Sequence, residues 1–344
     1  MSINIKNIYC SQWLINEELK QYCSKKTNDA FYISPHDILY IKDTINYKTL
    51  LTDNYIMYNK YVILTNQTEH NENNFKQLVS NFDINKMNKI EIGYNSDIDK
   101  YIVKDGVHRL SILIYKNIFE EHIPLKYFNI IFNEKTITKI KQEMISTTGK
   151  VFHNGWYNNT VFGYHSFNIF NINIKGQRNP KKRLDIIKQY IEFKDKTVVD
   201  FGCNSGGMLL HLFEIKKGIG YDFNPDCIKC AKYLCNLFKF NNNLNFYEMD
   251  LNLFDFNILK KERIDIIFLL ALGSWIKNWI ELYTNAVKNV KNIIYETNND
   301  QEAIPQLELF KKLGCELTLI SEASFDDITN NTRRKTYLIK CPII

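Results

Sequence analysis

From about residue 180 the chain alternates short, almost wholly apolar runs with longer segments whose apolar side chains recur every three to four positions. The first pattern is that of a strand buried on both faces, the second that of a helix with one apolar stripe. "NPKKRLDIIKQYIEF" (179–193) opens on Asn-Pro, a helix-start signal, and continues with Leu184, Ile187, Tyr190 and Ile191 on one face. "KTVVDF" (196–201) predicts a strand and "SGGMLLHLFEI" a helix. "GIGYDF" (218–223) is a second strand, and Pro225 starts the helix after it. "LNFYEMD" (244–250), "RIDIIFLLAL" (263–272) and "KNIIYET" (291–297) predict three more strands. "WIKNWIELYTNAVKNV" (275–290) and "AIPQLELFKKLG" (303–314) predict helices among them. "CELTLISE" (315–322) and "RRKTYLIKCPI" (333–343) then form an antiparallel pair across a polar loop. Strands alternating with helices give a parallel sheet covered on both faces by right-handed crossovers. The expected fold is α/β: a Rossmann-like, doubly wound, mostly parallel sheet with an antiparallel last strand.

The first half has a different rhythm. "FYISPHDILYI" (31–41), "KYVILT" (60–65) and "NKIEIGY" (88–94) read as strands, and "NENNFKQLVSNF" (71–82) as a short helix. "DKYIVKDGVHRLSILIYKNI" (99–118) reads as strand, Asp-Gly turn, helix, and "LKYFNIIF" (125–132) as a closing strand. Residues 140–178 are aromatic and polar without a helical period, so they form either a linker or a cap. The expected division is a smaller α+β domain over 1–140, a connecting or cap segment over 141–178, and the α/β domain over 179–344.

Composition narrows the class. The 344 residues suffice for two domains, and 13 Gly with 6 Pro argue against long disordered linkers. A net charge of +6 suits an anionic ligand but falls short of a dedicated nucleic-acid stripe. The N-terminus lacks a basic segment followed by an apolar run, and no stretch approaches the roughly 18 apolar residues of a membrane span. A cytoplasmic protein without membrane insertion is expected, its eight cysteines reduced. Cys227, Cys230 and Cys235 lack a fourth ligand at zinc spacing and read as a buried helix face, so no metal is expected.

The chemistry concentrates in "TVVDFGCNSGG" (197–207). In an open parallel sheet, ligands sit at the carboxyl ends of the strands. Glycines after the first strand admit a ligand where a Cβ would collide, and the helix beyond offers free N–H groups. Asp222, ending the second strand, can accept from both hydroxyls of a ribose. The spacing D-x-G-x-x-x-G departs from the G-x-G-x-x-G of dinucleotide enzymes. It resembles motif I of the class I S-adenosylmethionine-dependent methyltransferases. "GYDFNP" is similar to that family's second motif, "MDL" to the adenine-facing stretch after the third strand, and "IDIIFLLAL" to its fourth-strand motif. The resemblance covers about 180–344 and implies S-adenosylmethionine as cofactor. It implies that Gly202, Cys203, Asn204 and Gly206 line the methionine and ribose and that Asp222 binds the ribose hydroxyls. It further implies that Phe223 stacks on adenine, Asp250 (with Leu251 beside it) meets the adenine amine, Ala271 offers backbone near the sulfonium, and Asp200 organises the loop.

A sulfonium carries its own leaving group, so alignment and exclusion of water suffice for a good nucleophile, whereas a hydroxyl acceptor also needs a base. His165, in "FGYHSF", Glu296, in "YETNN", and His153 are the candidates. Each has a structural alternative: a packed, hydrogen-bonded histidine among aromatics, or a carboxylate capping a helix. "GQRNPKKR" places Arg178, Lys181, Lys182 and Arg183 at a helix start, against the dipole, which calls for an anion nearby. Arg178 reaches the cofactor carboxylate, or the group holds a substrate phosphate, or the run is a solvated face. Trp275, Lys277 and Trp279 follow the fourth strand, where acceptors sit, or line that helix's core face.

In the first half, "YIVKDGVHRLSILIYKN" resembles the ParB/sulfiredoxin-like fold, with Asp105, Gly106, His108 and Arg109 at its D-G-x-H/R-R turn. "ISPHDI" (33–38) extends the likeness to roughly 30–135. The resemblance implies either a phosphate- or nucleotide-binding turn, with His108 and Arg109 as substrate contacts, or a purely structural copy. The expected partner is a small-molecule substrate, phosphate- or nucleotide-bearing. The expected reaction is O-methylation of a small polar acceptor, such as a sugar or nucleotide-linked sugar of a surface polysaccharide (capsule or lipopolysaccharide). A tRNA methyltransferase is the alternative, and a non-catalytic S-adenosylmethionine-binding protein a third class.

Overall fold

The computed structural model describes residues 2–4 and 8–10, most of 80–145, and then 163–238, 243–328 and 334–342. The chain divides into two compact units, Ser2–Thr136 and Ile137–Ile344. The expected strands at 31–41 and 60–65, "ISPHDI", His108 and His153 lie outside the described residues.

In the first unit, β1 (Ser2–Asn4) pairs antiparallel with β5 (His122–Pro124). A second sheet runs β2-β4-β3-β6, from β2 (Ile8–Cys10), β4 (Lys100–Asp105), β3 (Ile90–Asn95) and β6 (Phe128–Phe132). Alternating burial along β6 leaves one face packed and one wet. Gly106, at φ +90°, makes the turn after β4, and helical residues follow at 109 and 110. α1 (Glu134–Met144) contains the boundary between the units.

In the second unit, the segment expected as a linker or cap is folded in from residue 163. It forms the antiparallel hairpin β7 (Phe167–Ile169) and β8 (Ile172–Ile174), with His165 bridging Arg178 at its base. The main sheet follows. Its strands are β9 (Thr197–Phe201), β10 (Lys217–Asp222), β11 (Leu244–Glu248), β12 (Ile266–Leu270), β13 (Asn292–Glu296), β14 (Glu316–Ser321) and β15 (Thr336–Lys340). They lie in the order β11-β10-β9-β12-β13-β15-β14. The first five are parallel, and β15 runs antiparallel between β13 and β14. Chain order reverses at β9, the topological switch point where ligands bind in such sheets.

The helices on the two faces are α2 (Pro180–Ile187), α3 (Gly207–Leu210), α4 (Pro225–Leu237), α5 (Asn257–Glu262), α6 (Trp279–Asn289) and α7 (Asp300–Lys312). Asn179, Asn224 and Asn299 cap α2, α4 and α7 with their side-chain oxygens, as the sequence chemistry demands. The helix expected after the glycine segment is a single turn, α3. One face of β9, β12 and β13 supplies Val199, Phe201, Ile267, Leu269, Ile293 and Tyr295 to a core shared with Tyr283 of α6 and Phe310 of α7. Those two rings stack with centroids 5.4 Å apart. No helix among the described residues is long and apolar enough to cross a membrane.

Candidate functional site

The carboxyl ends of β9, β10, β11 and β12 gather the residues singled out by the motifs. After β9 the backbone enters the left-handed region three times, at Gly202 (φ +73°), Asn204 (+49°) and Gly206 (+75°). At Gly206 a side chain is excluded twice over: the φ is strained for any L-residue, and a Cβ would fall 2.6 Å from the Phe246 ring. The loop is pinned from β10. Gly202 and Cys203 both donate to the Tyr221 carbonyl, at 2.8 and 3.0 Å. The Asn204 N–H donates to Asp222 Oδ2 at 2.8 Å, and the Asn224 N–H to Oδ1 at 2.9 Å. Burial pushes the Asp222 carboxyl up, and these two N–H groups oppose the shift.

Asp200, buried two register rows below Asp222, has one carboxyl oxygen, Oδ2, without a hydrogen-bond partner. Burial and the neighbouring Asp222 push its carboxyl well above the ordinary range. A buried orphan acceptor beneath a glycine loop fits a ligand that brings donors. The rim is apolar: Phe223 is 69% exposed immediately after Asp222. Asp250, fully exposed, accepts from the Asn252 N–H at 2.9 Å and from its side-chain amide at 2.8 Å, which holds the carboxyl below its usual range. Leu251 beside it is buried. Ala271 takes φ +53° at the end of β12, its N–H donating to the Glu296 carbonyl. Trp275 is 75% exposed just beyond. Lys277 donates its N–H to Asn252 Oδ1, joining the turns after β11 and β12. Trp279 is half-buried against Tyr283 and belongs to the helix packing.

Four expectations are corrected. His165 stands against the start of α3 but does not open to an acceptor. It is buried, its Nδ1 accepts from the Gly207 N–H at 3.3 Å, and burial with Arg178 nearby lowers its pKa to about 3. A base must reach an acceptor, and this imidazole is spent on the backbone. Arg178 does not reach outward to a cofactor carboxylate. Fully buried, it donates to Glu296 (Nη2–Oε2 2.8 Å) and to Asp326 (Nε–Oδ2 2.8 Å), and Arg183 reinforces both acids at 3.2 Å. Burial opposes the Arg178 charge, and Glu296 and Asp326 more than offset that cost. The anion demanded by the basic helix start is the protein's own. Glu296 is consequently neither a helix cap nor an accessible base but the centre of this ionic cluster. Finally, the first N–H of α3 is not free, because His165 occupies it. That occupation removes a donor which a dinucleotide pyrophosphate would require at this helix start.

Sequence reasoning missed Asp326, Ser324 and His211. Asp326 and Asp327 are buried while Phe325 and Ile328 on either side are exposed, an inverted order in "SFDDI". Adjacent acids between two hydrophobics are the one signal that marked it. In the first unit, Arg109 pairs with Asp105 at 2.5 Å and donates to the Lys89 carbonyl, folded back over the Gly106 turn. Cys227, Cys230 and Cys235 are buried on α4.

Residues 192–314 match the family model of a methyltransferase domain. This domain spans β9 to the end of α7, hence the glycine loop, Asp200, Asp222 and the rim. Its cofactor is S-adenosylmethionine. The donor set fits that molecule: carboxylates for hydroxyl and ammonium donors, an exposed aromatic for adenine, and a helix start that offers no phosphate a place. A curated relative, the tRNA U34 carboxymethyltransferase of Aliarcobacter butzleri (strain RM4018), is 23% identical over 194 residues. That similarity spans 49% of this chain and 63% of the relative's length. Among solved structures, the bifunctional kinase-methyltransferase WbdD is 17% identical over 49% of this chain and 42% of its own, at TM-score 0.40. The N-terminal domain of EvdMO1 with SAH bound is 11% identical over 61% of this chain and 98% of its own, at TM-score 0.43.

Proposed function

We propose that the chain transfers the methyl group of S-adenosylmethionine to an oxygen of a small polar acceptor, a sugar or nucleotide-linked sugar of a surface polysaccharide. The observation that carries this reading is Trp275, three-quarters exposed beyond Ala271 at the open end of β12, where a flat apolar ring can take the face of a sugar. Asp200, Asp222 and the 202–206 loop would hold the cofactor, which supplies an electrophilic methyl group and its own leaving group. With His165 and Glu296 buried, these residues contribute alignment, worth several powers of ten in rate for a well-oriented pair, and the proton of the acceptor hydroxyl leaves to solvent water at the exposed rim as the O–CH3 bond forms. The N-terminal unit, in this reading, is a ParB/sulfiredoxin-like accessory module whose Asp105–Arg109 turn would exchange its internal ion pair for a phosphate.

The arginines argue for a small acceptor over a polyanion. Of the six in the chain, Arg109, Arg178, Arg183 and Arg334 lie within ion-pair distance of carboxylates of the protein. One finding favours a second reading, methylation of tRNA: the curated relative acts, by its name, on tRNA U34, and Trp275 and Phe223 would equally stack a base. Incubation with radiolabelled methyl donor and either a panel of nucleotide-sugars or bulk tRNA separates the two. Label in the nucleotide-sugar fraction is expected; label in tRNA alone overturns the sugar reading.

A further inference from the structure

Gly207 is the first residue of α3, and both of its backbone polar groups are held by imidazoles. His165 Nδ1 accepts its N–H at 3.3 Å, and the carbonyl accepts from His211 Nδ1–H at 2.6 Å. The His165 ring fills the space in which a Cβ at 207 would stand, with Cγ 2.5 Å from that point. His165 is itself fixed on both sides: Ser166 N–H donates to the Arg178 carbonyl and Arg178 N–H to the Tyr164 carbonyl, each at 2.7 Å. The other end of this bridge is the ionic cluster on Glu296 and Asp326. α3 has only four residues, so little helix stands behind the glycine loop to hold it.

We propose that His165 is a positioning residue for the cofactor, setting through the Gly207 N–H the orientation of the loop 202–206. The inference rests on S-adenosylmethionine as the ligand of that loop. Three left-handed residues in five make a conformation that must be held by its surroundings. If the anchor is lost, the loop has to be ordered at the moment of binding, and the ordering entropy is subtracted from affinity.

The side-chain geometry supplies the test. Asparagine places an oxygen near the position of Nδ1, whereas glutamine places its polar atoms near Nε2. Calorimetric titration of the full chain with S-adenosylmethionine should show His165→Asn within about threefold of wild type. His165→Gln and His165→Phe should bind roughly tenfold or more weakly, the loss of one buried hydrogen bond. Thermal melting of each ligand-free variant identifies molecules that are not folded. Equal affinity in the Asn and Gln variants, or wild-type affinity in His165→Phe, overturns the proposal. No binding by the wild type overturns the cofactor assignment instead, so the two failures are distinguishable.

Discussion

Arg178 and Glu296 form a forked, fully buried ion pair, with Arg178 Nη2 2.8 Å from Oε2 and 3.2 Å from Oε1. It joins the segment before α2 to the end of β13. Asp326 completes the neutralisation from the loop after β14, and its backbone carbonyl accepts the Asn179 N–H at 3.0 Å.

Removing Arg178 leaves two buried carboxylates, Glu296 and Asp326, to share Arg183, an excess of buried negative charge. Arg178→Met is expected to lower unfolding free energy by about 3–5 kcal/mol. The double variant Arg178→Met, Glu296→Met should recover part of that loss, because no orphan charge remains. Urea denaturation of the singles and the double checks it; a single-variant loss below about 1 kcal/mol contradicts the role assigned.

Asp222 holds two loop N–H groups and, in the proposed function, would bind the cofactor ribose. Asp222→Ala should therefore disorder the turn and weaken S-adenosylmethionine binding by roughly 10- to 100-fold, the range for a lost charged acceptor. Equal calorimetric affinity in wild type and variant would sink the ribose assignment.

Trp275 stands clear of the core, so Trp275→Ala should leave stability and cofactor affinity nearly unchanged. Its effect belongs in the KM of the methyl acceptor, raised on the order of tenfold if the ring is a stacking platform. A KM unchanged with the identified acceptor would return Trp275 to an ordinary exposed side chain.

Two histidines make stability fall in mild acid. Burial lowers the His165 pKa to about 3 and that of His211 to about 4, from 6.5. Both are therefore neutral in the fold, and a folded pKa below the unfolded one gives stability that is complete above pH 6.5. It drains as pH falls toward the folded values. By pH 5, each histidine should cost about 2 kcal/mol relative to pH 7. Asp200, pushed upward, works in the opposite sense, so the informative quantity is a difference. The stability gap between His165→Asn and wild type should shift in favour of the variant as pH falls from 7 to 5. A gap independent of pH over that range contradicts the buried neutral imidazole.

Much of the fold is legible in the sequence. The apolar runs at 196–201 and 263–272 announced the buried strands found at Thr197–Phe201 and Ile266–Leu270, and Asn179-Pro180 and Pro225 announced helix starts. The left-handed turns at Gly202 and Gly206 were readable because they depend on neighbours in sequence: a strand end before them and a helix start after them. The pairing of Arg178 with Glu296 and Asp326 was not legible, since its partners lie 118 and 148 positions away. The same holds for His165, whose partner Gly207 is 42 positions on.

The sequence alone determined the α/β layering and the left-handed turns of the glycine loop, because periodicity and glycine conformations are local properties of the backbone. Only the tertiary structure decided which polar residues face outward. His165, Arg178 and Glu296 look like chemistry in a linear reading, yet folding turns all three inward, since a charge or imidazole that leaves water must find its partner within the protein. Phe223 and Trp275, apolar and left at the open edge of the sheet, are what the fold presents instead.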